Sequence, residues 1–414
     1  MRTFAERLIE FPTVDGGEAE AAAWTRERLD ALGFETYEWL ADAEELAQHS
    51  SFPDDPDLIE TEDRPSVAGV LEFGDPEAGP TLVLNGHLDV VPADEDAWSS
   101  DPFTPTWGET DDGEETLTAR GAVDMKSPVA ACVFAALDAA ERADEADLNG
   151  RLVVEAVAGE EEGGIGAAAA ALSNPYPFDR DAAIVAEPTK LTPITAAEGT
   201  VMKRLEIQGR AAHAASRWRG EDVLPHFERI RAAFKDLEAE RSESVTHPLY
   251  EEYPVPWPIV IGKVEAGNWA SSVPSSLTAE MRFGVAPGET VDEVEEQYEE
   301  ALQAVVDAND WLSEHPPSFE RFSIQFESAE VDADEPIVRT LREAMMDTGL
   351  PDTDPRGATY GADSRHYVAA GIPTVLFGPG SIEQAHFPDE TIEWADVEQA
   401  RETLAETAVR FLQS

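Results

Sequence analysis

The chain has 414 residues, of which 42% are hydrophobic, and it is long enough to bury a large core in two or more domains. Aspartate and glutamate together number 86 against 29 lysine and arginine residues, which gives a formal net charge of -57. Such a chain repels phosphate-rich partners, and this argues strongly against nucleic-acid binding and against binding to anionic membranes.

The first half of the chain alternates helix-like and strand-like segments. Residues 18–32 have the pattern of an amphipathic helix, and the acidic, proline-containing stretch 41–63 is expected to be a surface loop. Short apolar runs that end in polar clusters follow, separated by alanine-rich helical stretches. One such helix is expected over residues 127–141, with Ser127 as its N-cap and Pro128 at its first position. This pattern predicts an α/β fold with a mostly parallel sheet covered by helices.

Residues 196–328 have a different pattern of strands and helices. The order there is strand, helix, strand, strand, helix, strand, which is typical of a small ferredoxin-like α+β domain. From residue 329 the first pattern resumes. We therefore predict a large α/β domain made of residues 1–195 and 329–414, interrupted by the smaller domain at residues 196–328.

Residue types that bind metals repeatedly follow the apolar runs, where open α/β sheets bind their ligands. They are His87, Asp89, Asp124, Glu160, Glu161, Glu162, Glu187 and His386. Histidines with carboxylates suit zinc, cobalt or manganese, and because no thiolate joins them a structural zinc–cysteine site is excluded. Residues two apart in extended backbone point the same way, so Asp89 can lie behind His87.

Seven segments, taken in order, carry a more specific signal. They are GHLDVVP, RGAVDMK, AGEEEGG, AEPT, HAASRWRG, SSVPSSLTAEMRF and AHFPDE. In this order they resemble the M20 family of metallo-amidohydrolases, which includes acetylornithine deacetylase, succinyl-diaminopimelate desuccinylase, aminoacylase and carboxypeptidase relatives. The resemblance covers nearly the whole chain. It implies that the large domain is catalytic and that the small one is a lid and dimerisation domain of a homodimer.

The resemblance further implies a site for two divalent metal ions, zinc in the first place and otherwise cobalt or manganese. Its ligands would be His87, Asp124, Glu161, Glu187 and His386. Asp124 would bridge the two ions, roughly 3.5–4 Å apart. His87 and Glu187 would hold one ion, and Glu161 and His386 would hold the other. The peptide bond after Asp124 would be a non-proline cis bond.

Roles for the residues around the metals follow from the same resemblance. Glu160 would be the general base that deprotonates the attacking water and then protonates the leaving amine. Asp89 would accept the second ring N–H of His87. His213 would stabilise the oxyanion, commonly in the active site of the partner subunit, and Arg282 would bind the substrate carboxylate.

Several positions depart from the family pattern. Ser271 stands where many deacylases have asparagine, with Asn268 upstream, and Ser127 stands where glycine is usual. The segment GATYGADSRHY departs from the usual Thr-Asp-Ala pattern, so Asp363 and His366 are candidate pocket residues. These departures leave the substrate open.

Ordinary explanations compete with some of these assignments. The GEEEGG segment could be a solvated acidic turn, and Glu162 is expected to be an ordinary residue within it. Arg282 could belong to a surface ion pair. Four histidines have no motif context: His49, His226, His247 and His315. Core packing is preferred over a dimer seam or pocket mouth for three tryptophans of the small domain: Trp218, Trp257 and Trp269.

The leading functional hypothesis is metal-dependent hydrolysis of the amide bond of an N-acylated amino acid, of the acetylornithine deacetylase and succinyl-diaminopimelate desuccinylase type. A dipeptidase or carboxypeptidase of the same family is the first alternative, and a non-catalytic metal-binding relative is the second. Glu160 beside a full ligand set favours an enzyme, because a binding module needs no general base.

Cys132 is the only cysteine, which excludes a disulfide within the chain and favours a reducing compartment. It lies in an apolar run, so we expect it to be buried rather than a nucleophile. The N-terminal residues MRTFAERLIEFPTV lack a basic region followed by an apolar stretch, and no run approaches a membrane span. We therefore expect a cytoplasmic protein.

The acidic residues are spread from end to end and interleaved with apolar residues. This indicates a solvated acidic surface rather than a disordered tail. A chain with this charge repels itself unless salt screens it, and the screening length falls to ~3 Å at ~1 M salt. We therefore predict a halophilic protein from a high-salt cytoplasm.

Folding should depend on salt for this reason. The free energy of unfolding, followed by circular dichroism in denaturant, should rise from dilute buffer to ~1 M KCl as the surface charges become screened. Full stability in dilute buffer, without salt or bound metal, would contradict the hypothesis.

Overall fold

The computed structural model of the protein describes residues 1–413, without the side chain of Asp144. The chain divides into two compact units. Unit 1 contains Met1–Thr195, Glu330–Arg356 and the residues from Ala362 onward, and unit 2 contains Ala196–Ala329 and Gly357–Gly361.

Residues 357–361 therefore group with unit 2, although the sequence pattern assigns all of 329–414 to the large domain. Hydrogen bonds within unit 2 explain the difference. The hydroxyl of Tyr250 donates to the carbonyls of Ala196 and Ala358, and the hydroxyl of Tyr253 donates to the carbonyl of Gly357.

The elements follow in chain order. The first part contains α1 (Arg2–Ile9), α2 (Ala19–Ala31), β1 (Glu35–Trp39), α3 (Ala43–Leu46), β2 (Ser66–Phe73), β3 (Thr81–His87), β4 (Thr106–Glu109), β5 (Glu115–Thr118), α4 (Lys126–Ala146), β6 (Gly150–Val157), α5 (Ile165–Leu172), β7 (Ala182–Val185) and β8 (Ile194–Ala197). The middle part contains β9 (Gly199–Gln208), α6 (Leu224–Ser244), β10 (Ile259–Ala266), β11 (Ser276–Val285), α7 (Val291–Asp307), α8 (Asp310–Glu314) and β12 (Ser318–Arg321). The last part contains β13 (Ala329–Glu330), α9 (Pro336–Asp347), β14 (Arg356–Ala358), α10 (Ser364–Ala369), β15 (Thr374–Leu376), β16 (Thr391–Glu393) and α11 (Trp394–Phe411).

The central sheet of unit 1 has the strand order β1-β2-β6-β3-β7-β15, with β8 next to β15. The pairs β6/β3, β3/β7 and β7/β15 are parallel, and the pairs towards the edges are antiparallel. Every residue of β3 and β6 is buried. Leu82 and Leu84 face a core that includes α4 and α11, whereas Val83 faces residues of α5 and α10. The predicted α/β fold, with helices on both faces of a parallel centre, is confirmed.

Unit 2 is an antiparallel sheet of order β12-β9-β11-β10. Its helices α6 and α7 pack on one face, where Phe234, Phe283 and Tyr298 form the centre of a separate core. The β-α-β-β-α-β order confirms the predicted ferredoxin-like domain. Side chains alternate along β11, so Arg282 lies on the face opposite to Phe283.

Core packing is the wrong expectation for two of the three tryptophans of this unit. Trp257 is buried, as predicted, and its indole N–H donates to the carbonyl of Val245 at 2.8 Å. Trp218 and Trp269 are 78% and 71% exposed. Trp218 lies in the short 3-10 helix Ala214–Arg219, and Trp269 lies in the loop between β10 and β11.

The start of α4 also differs from its prediction. The helix begins at Lys126, so Ser127 lies inside the first turn and is not the N-cap. Its hydroxyl is buried and has no hydrogen-bond partner among the described residues. Met125, whose side chain cannot accept a cap hydrogen bond, takes the capping position.

Two further expectations need correction. The apolar run at residues 116–120, before Asp124, is one of the short runs that the pattern assigns to the main sheet. It forms β5, which instead pairs with β4 and β16 in a separate antiparallel sheet. Residues 41–63 are more than a surface loop, because they contain α3 and bury Leu46, Phe52 and Ile59 against α5. Among residues 1–413, no helix is both long and apolar enough to cross a membrane.

Candidate metal centre

The loops that follow β3, β6 and β7 meet at one edge of the central sheet. Strand β3 runs parallel between the other two, and its last residue, His87, pairs with Val157 at the end of β6. The turn after β6 carries Glu160 and Glu161, and Glu187 follows β7 by two residues. Parallel pairing therefore brings these four polar side chains to the carboxyl edge of the sheet.

The carboxylate of Asp124 lies between two imidazoles. Its Oδ1 is 3.0 Å from Nε2 of His87, and its Oδ2 is 3.5 Å from Nε2 of His386. Nε2 of His386 is also 3.1 Å from Oε1 of Glu161. Ligand atoms of His87, Asp124 and Glu161 all lie within 4.8 Å of one another. The peptide bond between Asp124 and Met125 is cis.

Glu187, another predicted ligand, is 4% exposed. Its Oε1 has no hydrogen-bond partner among the described residues. Burial, and next the negative charge of Asp124, raise the pKa of Glu187 well above its usual range. A buried carboxylate is costly unless a cation or hydrogen bonds compensate it, so this side chain fits a metal ligand.

The ionisation of the histidines follows from their carboxylate neighbours. Burial opposes ionisation of Asp124, but hydrogen bonds with His386 and His87 outweigh it and hold the pKa of Asp124 below its usual range. Hydrogen bonds with Asp124 and Glu161 raise the pKa of His386 to about 10. Although burial lowers the pKa of His87, its hydrogen bond with Asp124 prevails and raises it. Nε2 of each imidazole faces a carboxylate oxygen that favours a positive charge between them. Imidazole nitrogens and carboxylate oxygens are also the donors that fit divalent cations.

Asp89 contacts His87 differently from the prediction. Nδ1 of His87 is 2.9 Å from the backbone carbonyl oxygen of Asp89, whereas the nearest carboxylate oxygen is 3.6 Å away. The carboxylate Oδ2 instead accepts the backbone N–H of Glu161 at 2.9 Å. The carbonyl thus favours the hydrogen on Nδ1 and leaves Nε2 of His87 facing Asp124. The carboxylate of Asp89 fixes the backbone of Glu161, a predicted ligand.

Glu160 lies in the turn between β6 and α5 and is buried. Its carbonyl accepts the backbone N–H groups of Gly163 at 2.9 Å and Gly164 at 3.1 Å, which closes the turn. Burial, then the negative charges of Glu187 and Asp363, raise the pKa of Glu160 well above its usual range. An acidic side chain in these surroundings binds a proton more readily than an exposed glutamate does.

Glu162, in the same turn, contacts a different part of unit 1. Its Oε2 is 2.5 Å from Nη1 of Arg64, and Nη2 of Arg64 is 2.5 Å from Oε1 of Glu18. Arg64 and Glu18 are both buried. This pair of ion pairs fixes the turn to the start of α2.

Helix α10 packs directly beneath the turn. The backbone carbonyl of Gly163 accepts a hydrogen bond from Arg365 at 2.6 Å and lies 3.1 Å from Nε2 of His366. Asp363 is buried, and neither of its carboxylate oxygens has a hydrogen-bond partner among residues 1–413. Burial raises the pKa of Asp363 to about 7. Asp363 and His366 therefore lie against the turn that carries Glu160.

In unit 2, Arg282 is bound to a buried carboxylate. Its Nη1 is 3.1 Å from Oε1 of Glu198, and its Nη2 donates to the carbonyl of Thr359 at 3.3 Å. Glu198 is fully buried, and burial raises its pKa to about 8 although Arg282 lowers it. The ion pair considered as the alternative for Arg282 is thus present, but its partner is an interior residue. The guanidinium has five N–H groups and retains some for another ligand.

The other predicted residues of unit 2 lie in neighbouring loops. The carbonyl of Ser271 accepts the backbone N–H of Ala214 at 2.9 Å. Nδ1 of His213 accepts the backbone N–H of Ala215 at 3.1 Å, so in the neutral ring the hydrogen is on Nε2. His213 and Asn268 are exposed. The Nε2–H of this exposed ring can therefore donate a hydrogen bond to another group.

Gly164→Ala should destabilise the protein more than Gly113→Ala. Both glycines have positive φ, +74° and +87°, so each alanine carries left-handed strain of ~1–2 kcal/mol. A Cβ on Gly164 would also collide with Asp363 and His366, whereas one on Gly113 meets no atom within 4 Å. Overpacking adds ~1–3 kcal/mol at Gly164 alone. Denaturant unfolding of both variants measures the difference, and equal losses would contradict the close packing of α10 on the turn.

Comparison with known proteins gives the family. Residues 83–410 match the model of peptidase family M20/M25/M40. A probable carboxypeptidase of Aspergillus terreus is 29% identical over 412 residues, which cover 96% of this chain and 83% of that protein. An acetylornithine deacetylase of Yersinia pseudotuberculosis is 28% identical over 352 residues, 83% of this chain and 82% of that protein. The structure of a tripeptidase from Staphylococcus aureus has a TM-score of 0.73 at 19% identity and covers 100% of this chain and 98% of that one. The chain therefore belongs to the M20/M25/M40 peptidase family and is a hydrolase of that family.

Proposed function

We propose that the protein hydrolyses the amide bond of an N-acylated amino acid with the help of two divalent metal ions, zinc in the first place and otherwise cobalt or manganese. The observation that carries the proposal is the carboxylate of Asp124 between the imidazoles of His87 and His386. The similarity to an acetylornithine deacetylase over 83% of the chain supports the substrate class.

The proposed ligands divide into two sets. One ion would be held by His87 and Glu187, and the other by Glu161 and His386. Asp124 would bind both ions. Each oxygen of Asp124 faces a different imidazole, as a bridging carboxylate requires. When bound, two such ions polarise an amide carbonyl and lower the pKa of a water molecule.

The chain's own residues would then move the proton. Glu160 takes a proton from the attacking water and returns it to the nitrogen of the leaving amine, so that the C–N bond breaks into a carboxylate and a free amine. We assign His213 to the developing oxyanion, because its Nε2 carries the hydrogen when Nδ1 accepts from Ala215. Arg282 would bind the substrate carboxylate with the N–H groups that Glu198 leaves free. Ser271, Asn268 and Asp363 are proposed to contact the substrate.

A peptidase activity is the second candidate, because the probable carboxypeptidase of Aspergillus terreus matches 96% of the chain. Both reactions cleave an amide bond and use the same residues. Product analysis with N-acetylornithine, N-succinyl-diaminopimelate and simple dipeptides separates the two. A purely metal-binding role accounts for the ligands but gives no use to Glu160.

We also propose that the enzyme works as a homodimer in the cytoplasm of a cell with high internal salt. A dimer would allow His213 to act in the active site of the partner subunit, as the family resemblance implies. The single cysteine, Cys132, which is buried, supports a reducing compartment, and the net charge of -57 supports high salt.

Glu160→Gln should abolish amide hydrolysis and leave metal binding intact. Glutamine has nearly the same shape as glutamate but cannot take a proton, and loss of general-base catalysis costs ~100-fold or more in turnover. Metal content is measured by mass spectrometry, and hydrolysis by release of the free amine. Glu162→Gln in the same turn is the matched control and should keep most of the activity, because Glu162 is not a proposed ligand or base and the glutamine oxygen can still accept a hydrogen bond from Arg64. A chelator should stop hydrolysis by the wild type, and an active Glu160→Gln enzyme would refute the assignment.

Arg282→Lys should raise KM for substrates that carry a carboxylate much more than it lowers kcat. Lysine keeps the charge but loses the bidentate geometry of the guanidinium, and we expect a roughly tenfold or larger increase in KM. Arg204→Lys is the control, because Arg204 pairs with Glu280 in the neighbouring strand. If both variants have the same steady-state constants, Arg282 does not bind the substrate.

A further inference from the structure

Glu390 is a fully buried carboxylate outside the proposed ligand set. It lies four residues after His386 and directly before β16. Its Oε1 accepts the backbone N–H groups of Val123 at 2.7 Å and Asp124 at 3.0 Å. Its Oε2 accepts the backbone N–H of Gly121 at 3.2 Å. One side chain therefore binds three backbone N–H groups of the loop that carries Asp124.

Arg120 connects the same carboxylate to the other metal-ligand segment. Its Nη1 donates to Oε2 of Glu390 at 2.6 Å, and its Nη2 donates to the carbonyl of His386 at 3.4 Å. The guanidinium lies over the ring of Trp98, 5.3 Å from its centre. The backbone carbonyl of Glu390 also accepts the N–H of Ala119 at 3.0 Å. Arg120 is 2% exposed, so water competes little for these bonds.

The loop depends on this carboxylate because regular secondary structure does not satisfy its backbone. Residues 119–125 belong to no strand or helix, since β5 ends at Thr118 and α4 begins at Lys126. A buried N–H group without an acceptor costs about 1–3 kcal/mol. Glu390 supplies acceptors to three such groups, and Arg120 balances its charge.

We propose that Glu390 is a positioning residue that fixes the carboxylate of Asp124 relative to the imidazole of His386. These two ligands come from distant parts of the chain, and Oδ2 of Asp124 lies 3.5 Å from Nε2 of His386. Glu390 is hydrogen-bonded to the loop that carries Asp124 and lies only four residues after His386 in the chain. It therefore sets the spacing between the two ligands. The inference rests on the proposed metal centre, because Asp124 and His386 are its ligands.

Glu390→Gln tests this role. The substitution keeps the shape of the side chain but replaces one acceptor oxygen by an NH₂ donor, which faces backbone donors and leaves at least one of them unpaired. Glu393→Gln is the matched control, because Glu393 lies three residues further on, at the end of β16, and is exposed. Co²⁺ is the probe. Its affinity for the metal-free protein is measured by competition with a chelator, and the visible absorption spectrum at saturating Co²⁺ reports the coordination.

We expect Glu390→Gln to bind Co²⁺ ~10–100-fold more weakly than the wild type, with an altered spectrum, and Glu393→Gln to match the wild type. A purely structural role would lower the melting temperature without changing the spectrum. A folded Glu390→Gln protein with wild-type Co²⁺ affinity and spectrum would overturn the inference while leaving the proposed function intact. A wild type that binds no Co²⁺ would overturn the metal centre and this inference with it.

If Glu390→Gln does not fold, Arg120→Gln takes its place. This variant loses the bonds to Glu390 and His386 but keeps the three backbone N–H bonds of Glu390. We expect a smaller loss of Co²⁺ affinity with the same direction of spectral change. Unchanged affinity and spectrum in Arg120→Gln would then overturn the positioning role.

Discussion

The arrangement of unit 1 depends on one interaction, the placement of the buried carboxylate of Asp124 between two imidazoles. His87 arrives at the end of a central strand, His386 on a loop after β15, and Asp124 on a loop that belongs to no sheet. Negative charge concentrated in the interior is unfavourable unless cations or donors surround it. The neighbouring features, namely the carbonyl of Asp89 on His87 and the donors around Glu390, each orient a group of this cluster. The fold thus brings together a set of carboxylate oxygens and imidazole nitrogens that fits divalent cations.

Much of this could be predicted from the sequence, because the relevant signals are local. Strand ends followed by His87 or Glu187 indicate the edge of a parallel sheet, and the strand–helix order between 196 and 328 indicates the split fold of unit 2. The path of the chain around Asp124 could not be predicted in this way. Strand β5 has the same apolar pattern as a central strand but pairs with β4 and β16, and pairing partners are decided by tertiary contacts that a local pattern does not contain.

The residues that sequence reasoning missed have a common cause. Arg64 and Glu198 lie outside the seven segments, and Glu390 ends the segment AHFPDE without any sign there of what it binds. Each of the three acts through a partner that is distant in sequence. In a chain with 86 acidic residues, one more glutamate gives no signal. The role of Asp89 was mistaken for a related reason. Spacing places its side chain behind His87, but the backbone carbonyl reaches Nδ1 first and frees the carboxylate for Glu161.

Amino-acid composition therefore cannot locate the site in so acidic a protein. A comparison of which buried carboxylates have hydrogen-bond donors is more informative. Most buried carboxylates have evident donors: Glu18 binds Arg64, Glu390 binds Arg120 and backbone N–H groups, and Glu155 binds Tyr176 at 2.8 Å. Four others differ, because among residues 1–413 each retains at least one carboxylate oxygen without a hydrogen-bond partner: Asp89, Glu187, Glu198 and Asp363. Each such group lowers the stability of the folded state, whereas an apolar residue in its place would not. A buried carboxylate without a donor therefore indicates a function. Glu198 lies in unit 2 and is paired with Arg282. The charges of Glu187 and Asp363 instead act on Glu160 in unit 1, and this is the physical reason to place the chemistry there.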